Sequence, residues 1–162
     1  MTLIRPFKPT ADEHGAPATL ELASPDFPHE GPIPPAHAAA RAGGQDLSPA
    51  LTWSPAPPGT DELLLVVEDP YAPGPWPFVH CVARLDPSVA GLAHGALGAA
   101  SPAAGVRLLR SGSGRGYLGP APPKSHGPHR YVFQLFALAT PLGRNDAALD
   151  SARPRDVLAA AR

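Results

Sequence analysis

Twenty-four of the chain's 162 residues are proline, and they fall between the apolar runs instead of within them. Proline fixes φ and donates no backbone hydrogen bond, so it breaks helices and central strands but stiffens turns. Proline and glycine together make 40 residues, near the level at which low-complexity disorder sets in. Because the apolar runs stay intact, the pattern predicts a folded domain with many rigid loops. A chain of this length suits one domain, 1–162, with an ordinary core. Residues 1–16 are polar and without period, and are expected to form an irregular arm.

The runs themselves read as strands. Glu62–Glu68 is apolar on both faces, with Leu63, Leu65 and Val67 on one and Leu64 and Val66 on the other, as in a central strand covered on both sides. Phe78–Leu85 follows a proline-rich loop. Its two-residue period puts Val79, Cys81, Ala83 and Leu85 on one face and Phe78, His80, Val82 and Arg84 on the other. His129–Leu138 is a further central strand, with His129, Tyr131, Phe133 and Leu135 sharing a face. Leu51–Trp53 and Val106–Leu109 are short strands. Ala18–Leu22 and Phe27–Ile33 are expected at edges, interrupted by proline. Pro154–Arg162 suits a short helix with proline in its first turn. Strands lie close in sequence without regular strand–helix alternation, which predicts a mainly-β fold: an antiparallel β-sandwich with a few short peripheral helices.

The formal charge is −1, which disfavours a nucleic-acid-coating protein. The charge is uneven, with −7 over residues 1–100 and +6 over 101–162. From Pro87 to Asn145 there is no acidic residue. That span is either an ordinary solvated face or a positive field near an anion site. The single cysteine, Cys81, lies in an apolar run and is expected to be a buried small hydrophobe, not a nucleophile. The N-terminus lacks a secretory pattern, and the longest strongly apolar run, Leu63–Val67, is too short to cross a bilayer. A cytoplasmic protein without integral membrane association is the expectation.

Several motifs weaken on inspection. Gly114–Gly119 matches the dinucleotide-binding glycine pattern, but Pro120, Pro122 and Pro123 forbid the helix that must follow it. Ser113 has no glycine two residues before it, so it is not a nucleophile elbow. His126 and His129 could ligate zinc only with further ligands, such as Asp69 and His80. No metal or cofactor is expected, and His126 is placed on solvent. More informative are two segments that each join a rigid proline loop to a central strand: Asp69–Pro73 with His80, and Gly119–Tyr131. Imidazoles held in this way are good donors to an oxyanion, and a carboxylate at a strand end can orient a histidine. Asp69, His80 and His129 are therefore expected to lie together. The loop Tyr71–Pro77 is expected to be stiff, with Ala72–Pro73 the best candidate for a cis bond.

These segments resemble the phosphatidylethanolamine-binding protein family, which includes the Raf kinase inhibitor protein and its bacterial relatives. Leu47–Trp53 (LSPALTW), followed by Pro58-Gly59-Thr60, is similar to the family's entry segment. Asp69–Pro73 with His80 resembles its first signature, and Gly116–Tyr131 its second. The resemblance covers roughly residues 17–142. It implies a central antiparallel sheet packed on a smaller one, and a shallow pocket for phosphate, phosphoethanolamine or a similar anion. By motif, that pocket holds Asp69, Pro73, His80, Pro123, His129 and Tyr131. It also implies no enzymatic activity, and a role as a signalling module or as an inhibitor of a kinase or protease. Three departures stand out. Tyr71 replaces a second acidic residue, Ser125 replaces a glycine, and the chain stops soon after Arg155–Ala161. A pocket wall that relatives build from later residues would then be missing, or come from a partner subunit in a homodimer.

The competing function is a hydrolase using the Asp/His cluster, with or without metal. No serine or cysteine is placed beside a plausible base, which favours binding over turnover.

Overall fold

The computed structural model describes residues 2–5, 20–143 and 146–161. The fold is mainly β, with three sheets and a few short helices. In chain order the strands are β1 (Thr2–Arg5), β2 (Leu22–Ala23), β3 (Leu51–Trp53), β4 (Glu62–Asp69), β5 (Phe78–Leu85), β6 (Gly91–Leu92), β7 (Val106–Leu108), β8 (Arg110–Ser111), β9 (Gly114–Arg115) and β10 (Tyr131–Leu138). Two helices follow, α1 (Asp146–Ser151) and α2 (Pro154–Ala161). The main sheet has the order β1-β10-β4-β5-β7, the second is β2-β3-β6, and β8-β9 is a small hairpin.

The doubly apolar β4 lies at the centre of the main sheet, as its sequence requires. Leu63, Leu65 and Val67 join the larger buried cluster with Tyr131, Phe133 and Leu135 of β10 and with Leu22, Leu51 and Leu92 of the second sheet. Leu64 and Val66 face the other way, into a smaller cluster with Phe136, Val157, Leu158 and Ala161. α2 therefore covers the outer face of the main sheet through Val157, Leu158 and Ala161.

Four expectations need correction. The main sheet is mixed, because β1 runs parallel to β10, Thr2 opposite Tyr131 and Arg5 opposite Gln134. Thr2–Arg5 is thus a strand within the expected irregular arm. Four residues are too few to show a period, and the rest of that arm lies outside the described residues. Phe27–Ile33 forms turns, not a strand. Pro28 and Pro32 remove the donors a strand needs, although Phe27 itself is buried in the core. No peptide bond is cis among the described residues, Ala72–Pro73 included.

The fourth correction bears on function. The register of β5 against β4 shifts between Val67 and Glu68: Cys81 faces Val67, while Val79 faces Glu68. His80 is the extra residue of a β-bulge. Strict alternation would put Val79 beside Cys81. Instead Val79 packs with Val82 in the outer cluster, while Cys81 and Ala83 stay in the inner one. His80 is turned toward Tyr131, on the inner side.

Candidate functional site

Alternation along β4 carries from Leu63, Leu65 and Val67 to Asp69, whose side chain therefore points inward at the strand's end. There it is locked by two donors. The Tyr71 backbone N–H donates to Oδ1 at 2.8 Å, a side-chain turn typical of aspartate before a tight loop. His129 Nδ1–H donates to Oδ2 at 2.6 Å. A carboxylate accepts only, so the proton lies on Nδ1 and the ring's orientation is fixed.

The bulge brings His80 to the same side. Its Nδ1–H donates to the Leu118 carbonyl at 2.8 Å, and the Leu118 N–H donates back to the His80 carbonyl at 3.0 Å. This reciprocal pair ties β5 to the loop that continues through Pro123. His80 meets Tyr131 edge to face, with ring centroids 5.2 Å apart, and Phe78 likewise at 4.9 Å. Burial lowers the pKa of His80. The hydrogen bond to Leu118 and the charge of Asp69 oppose this, while Arg41 and His129 add to it. Burial likewise raises the phenol of Tyr131 above its ordinary value, Asp69 adding to the rise and Arg41 opposing it.

These groups surround a half-open cavity of about 200 Å³. All six residues singled out from sequence line it: Asp69, Pro73, His80, Pro123, His129 and Tyr131. The four polar ones are buried. His126 does not line it and is exposed, though its ring lies 5.8 Å from that of His129. Tyr71 and Ser125 are exposed on the adjoining loops. The volume is below the roughly 300–1,000 Å³ of pockets for drug-sized ligands, so it suits a small group. One polar atom stands out: the Tyr131 hydroxyl is buried without a hydrogen-bond partner among the described residues. Such a group ordinarily finds one.

Sequence reasoning missed Arg41, which contributes the guanidinium on the cavity wall. Its loop is folded against the site by Asp46, whose Oδ1 accepts the Gly119 N–H at 2.7 Å and whose Oδ2 accepts the Ala40 N–H at 2.9 Å. Asp46 sits at φ 51° to do so. Nothing local marks such a long-range clamp. Three arginines of the acid-free span lie away from this cavity. Arg107 and Arg115 reach Asp150, and Arg110 borders a groove beside Trp76. Cys81 is fully buried, and burial pushes its thiol up to about 12, so it is no nucleophile.

Fold and site together define a mainly-β protein with a small pocket edged by an aspartate, two histidines and a tyrosine. The chain belongs to the phosphatidylethanolamine-binding protein family, whose profile matches residues 23–162. LppC of Mycobacterium tuberculosis, a relative named as a lipoprotein, is 40% identical over 126 residues, covering 76% of this chain and 57% of LppC. Phomoidride biosynthesis cluster protein B, from a fungus, is 35% identical over 138 residues, covering 80% of this chain and 65% of its own. The chain thus spans less than two thirds of either relative. The crystal structure of E. coli YbcL, described as a new member of the mammalian PEBP family, superposes with a TM-score of 0.75 at 28% identity, covering 86% of this chain and 87% of YbcL.

Proposed function

We propose that the pocket binds a small oxyanion, phosphate or the phosphate of a headgroup such as phosphoethanolamine, and holds it without turnover, in a signalling or inhibitory role. The observation that carries this is the buried Tyr131 hydroxyl, which has no partner among the described residues. Tyr131 lines a cavity that also presents Arg41 and the imidazoles of His80 and His129. The Arg41 guanidinium donates directly, whereas the two imidazoles, whose Nδ1–H groups are already committed, donate from Nε2 once protonated, and charged donors of this kind form the stronger hydrogen bonds to an oxyanion. Asp69 orients His129 and supplies a carboxylate that suits a headgroup ammonium. No serine, threonine or cysteine lines the cavity among the described residues, which favours binding over a hydrolase.

Calorimetric titration of the full chain with inorganic phosphate and with phosphoethanolamine tests this. Removing a hydrogen bond to a charged group costs about 1.5–3 kcal/mol, or roughly 10- to 100-fold in affinity. His129→Ala should lose that much, and His126→Ala should bind as wild type does. Wild-type binding by His129→Ala with loss in His126→Ala would overturn the assignment.

A further inference from the structure

We propose that Asp26, His37 and His94 form a binding site for a divalent first-row transition-metal ion of the zinc class. The three residues come from separate segments: the turn after β2, the end of a one-turn helix at Pro35–His37, and the loop after β6. One ligand atom from each lies within 4.8 Å of the others. His94 Nε2 is 2.7 Å from Asp26 Oδ1, and His37 Nε2 is 3.5 Å from Asp26 Oδ2. The two imidazoles lie nearly parallel, with centroids 5.9 Å apart and an interplanar angle of 24°.

The orientation of His37 distinguishes this cluster from an ordinary surface ion pair. His37 is buried, at 3% exposure. Its Nδ1 is 2.8 Å from the Leu47 carbonyl. A carbonyl only accepts, so Nδ1 bears the proton, and in the neutral ring Nε2 is a lone pair. That lone pair faces a carboxylate oxygen, and two facing lone pairs call for a cation between them, either a proton on Nε2 or a metal ion. A histidine whose second nitrogen donates to a backbone carbonyl is the usual supported metal ligand. Asp26 is fixed in the same way, Oδ2 accepting the Ala50 N–H at 2.8 Å.

Two imidazoles and one carboxylate make a donor set for zinc and its neighbours rather than for calcium or magnesium, which prefer oxygen. Metal–ligand bonds of about 2.0–2.2 Å put neighbouring ligand atoms roughly 3–3.5 Å apart, so the ligand atoms, now within 4.8 Å of one another, need only small side-chain adjustments to close on an ion. His94 is exposed and can adjust, and three protein ligands leave a position for water. The ion would also brace the loop behind the pocket. The His37 carbonyl accepts the Tyr117 hydroxyl at 3.0 Å, and the Ala39 N–H donates to the Pro120 carbonyl at 3.0 Å.

The test is titration of the chelator-stripped full chain with Zn²⁺ against a chromogenic indicator, for wild type, His94→Ala and His126→Ala. His94 is exposed, so its replacement should not disturb folding. The expected result is one Zn²⁺ per chain, together with a rise in melting temperature on zinc addition. His94→Ala should weaken zinc at least as much as the roughly 10- to 100-fold typical of losing a supporting partner, and should abolish the thermal shift. His126→Ala should match wild type. Absence of stoichiometric zinc binding, equal affinity in His94→Ala, or loss in His126→Ala would each overturn the proposal, the first leaving a proton as the shared cation.

Discussion

His80 is the residue whose chemistry depends most on its position. Burial keeps its imidazole below the ordinary histidine value, with Arg41 and His129 adding to the effect and the Leu118 hydrogen bond and Asp69 opposing it. The unfolded chain titrates near 6.5, above the folded state. Between those two values the unfolded chain holds the extra proton, so stability falls as pH drops below about 6.5. A bound oxyanion acts in the opposite sense, because it favours the imidazolium. Phosphate affinity should therefore rise with acidification, over a window lower than that of an unperturbed histidine, and binding should take up protons there. Calorimetry in two buffers of different ionisation enthalpy reports that uptake. Buffer-independent heats below pH 6.5 would show that His80 keeps its proton state on binding.

At the scale of elements, the pocket depends on strand ends and on two loops clasped together. The alternation of Leu63, Leu65 and Val67 predicts the inward turn of Asp69 directly, and the same holds for Tyr131 ahead of Phe133 and Leu135. The bulge in β5 was not legible. No glycine or proline interrupts Phe78–Leu85, so strict alternation put Val79 with Cys81 and His80 with Val82, and the bulge reverses both assignments. Arg41 was hidden for a different reason. Its position follows from Asp46 reaching Gly119 across 73 residues, and short-range patterns do not carry that contact. At the clasp, a Cβ on Gly119 would lie 2.3 Å from the Ala38 carbonyl carbon and 2.4 Å from the Ala39 nitrogen. Backbone cannot yield as a flexible side chain does. Gly119→Ala should lose about 1–3 kcal/mol, the usual range for overpacking, and should weaken phosphate by displacing the Pro120–Pro123 wall. Urea denaturation with a parallel phosphate titration checks both, and wild-type values in each would mean the clasp is looser than it looks.

The molecule as a whole has a buried cluster on each face of the main sheet, and only the inner one reaches the pocket. That division was readable from the two apolar faces of β4 and from the helix expected at the C-terminal end. The parallel pairing of β1 with β10, set by residues about 130 apart in the chain, was not. Leu158 lies in the outer cluster, so Leu158→Ala should cost about 2–5 kcal/mol of stability while leaving phosphate affinity intact. A guanidinium melt showing that loss together with lost affinity at native conditions would mean the two faces are coupled. The most direct measurement returns to the unmatched hydroxyl. In Tyr131→Phe the buried ring is kept and only the unpartnered oxygen goes, so the free protein should melt no lower than wild type. Phosphate should bind it about 10- to 100-fold more weakly. Calorimetric titration of phosphate into this variant, beside wild type, decides the matter: weakened binding in a fully stable protein is the predicted result, and wild-type affinity would contradict the pocket as an oxyanion site.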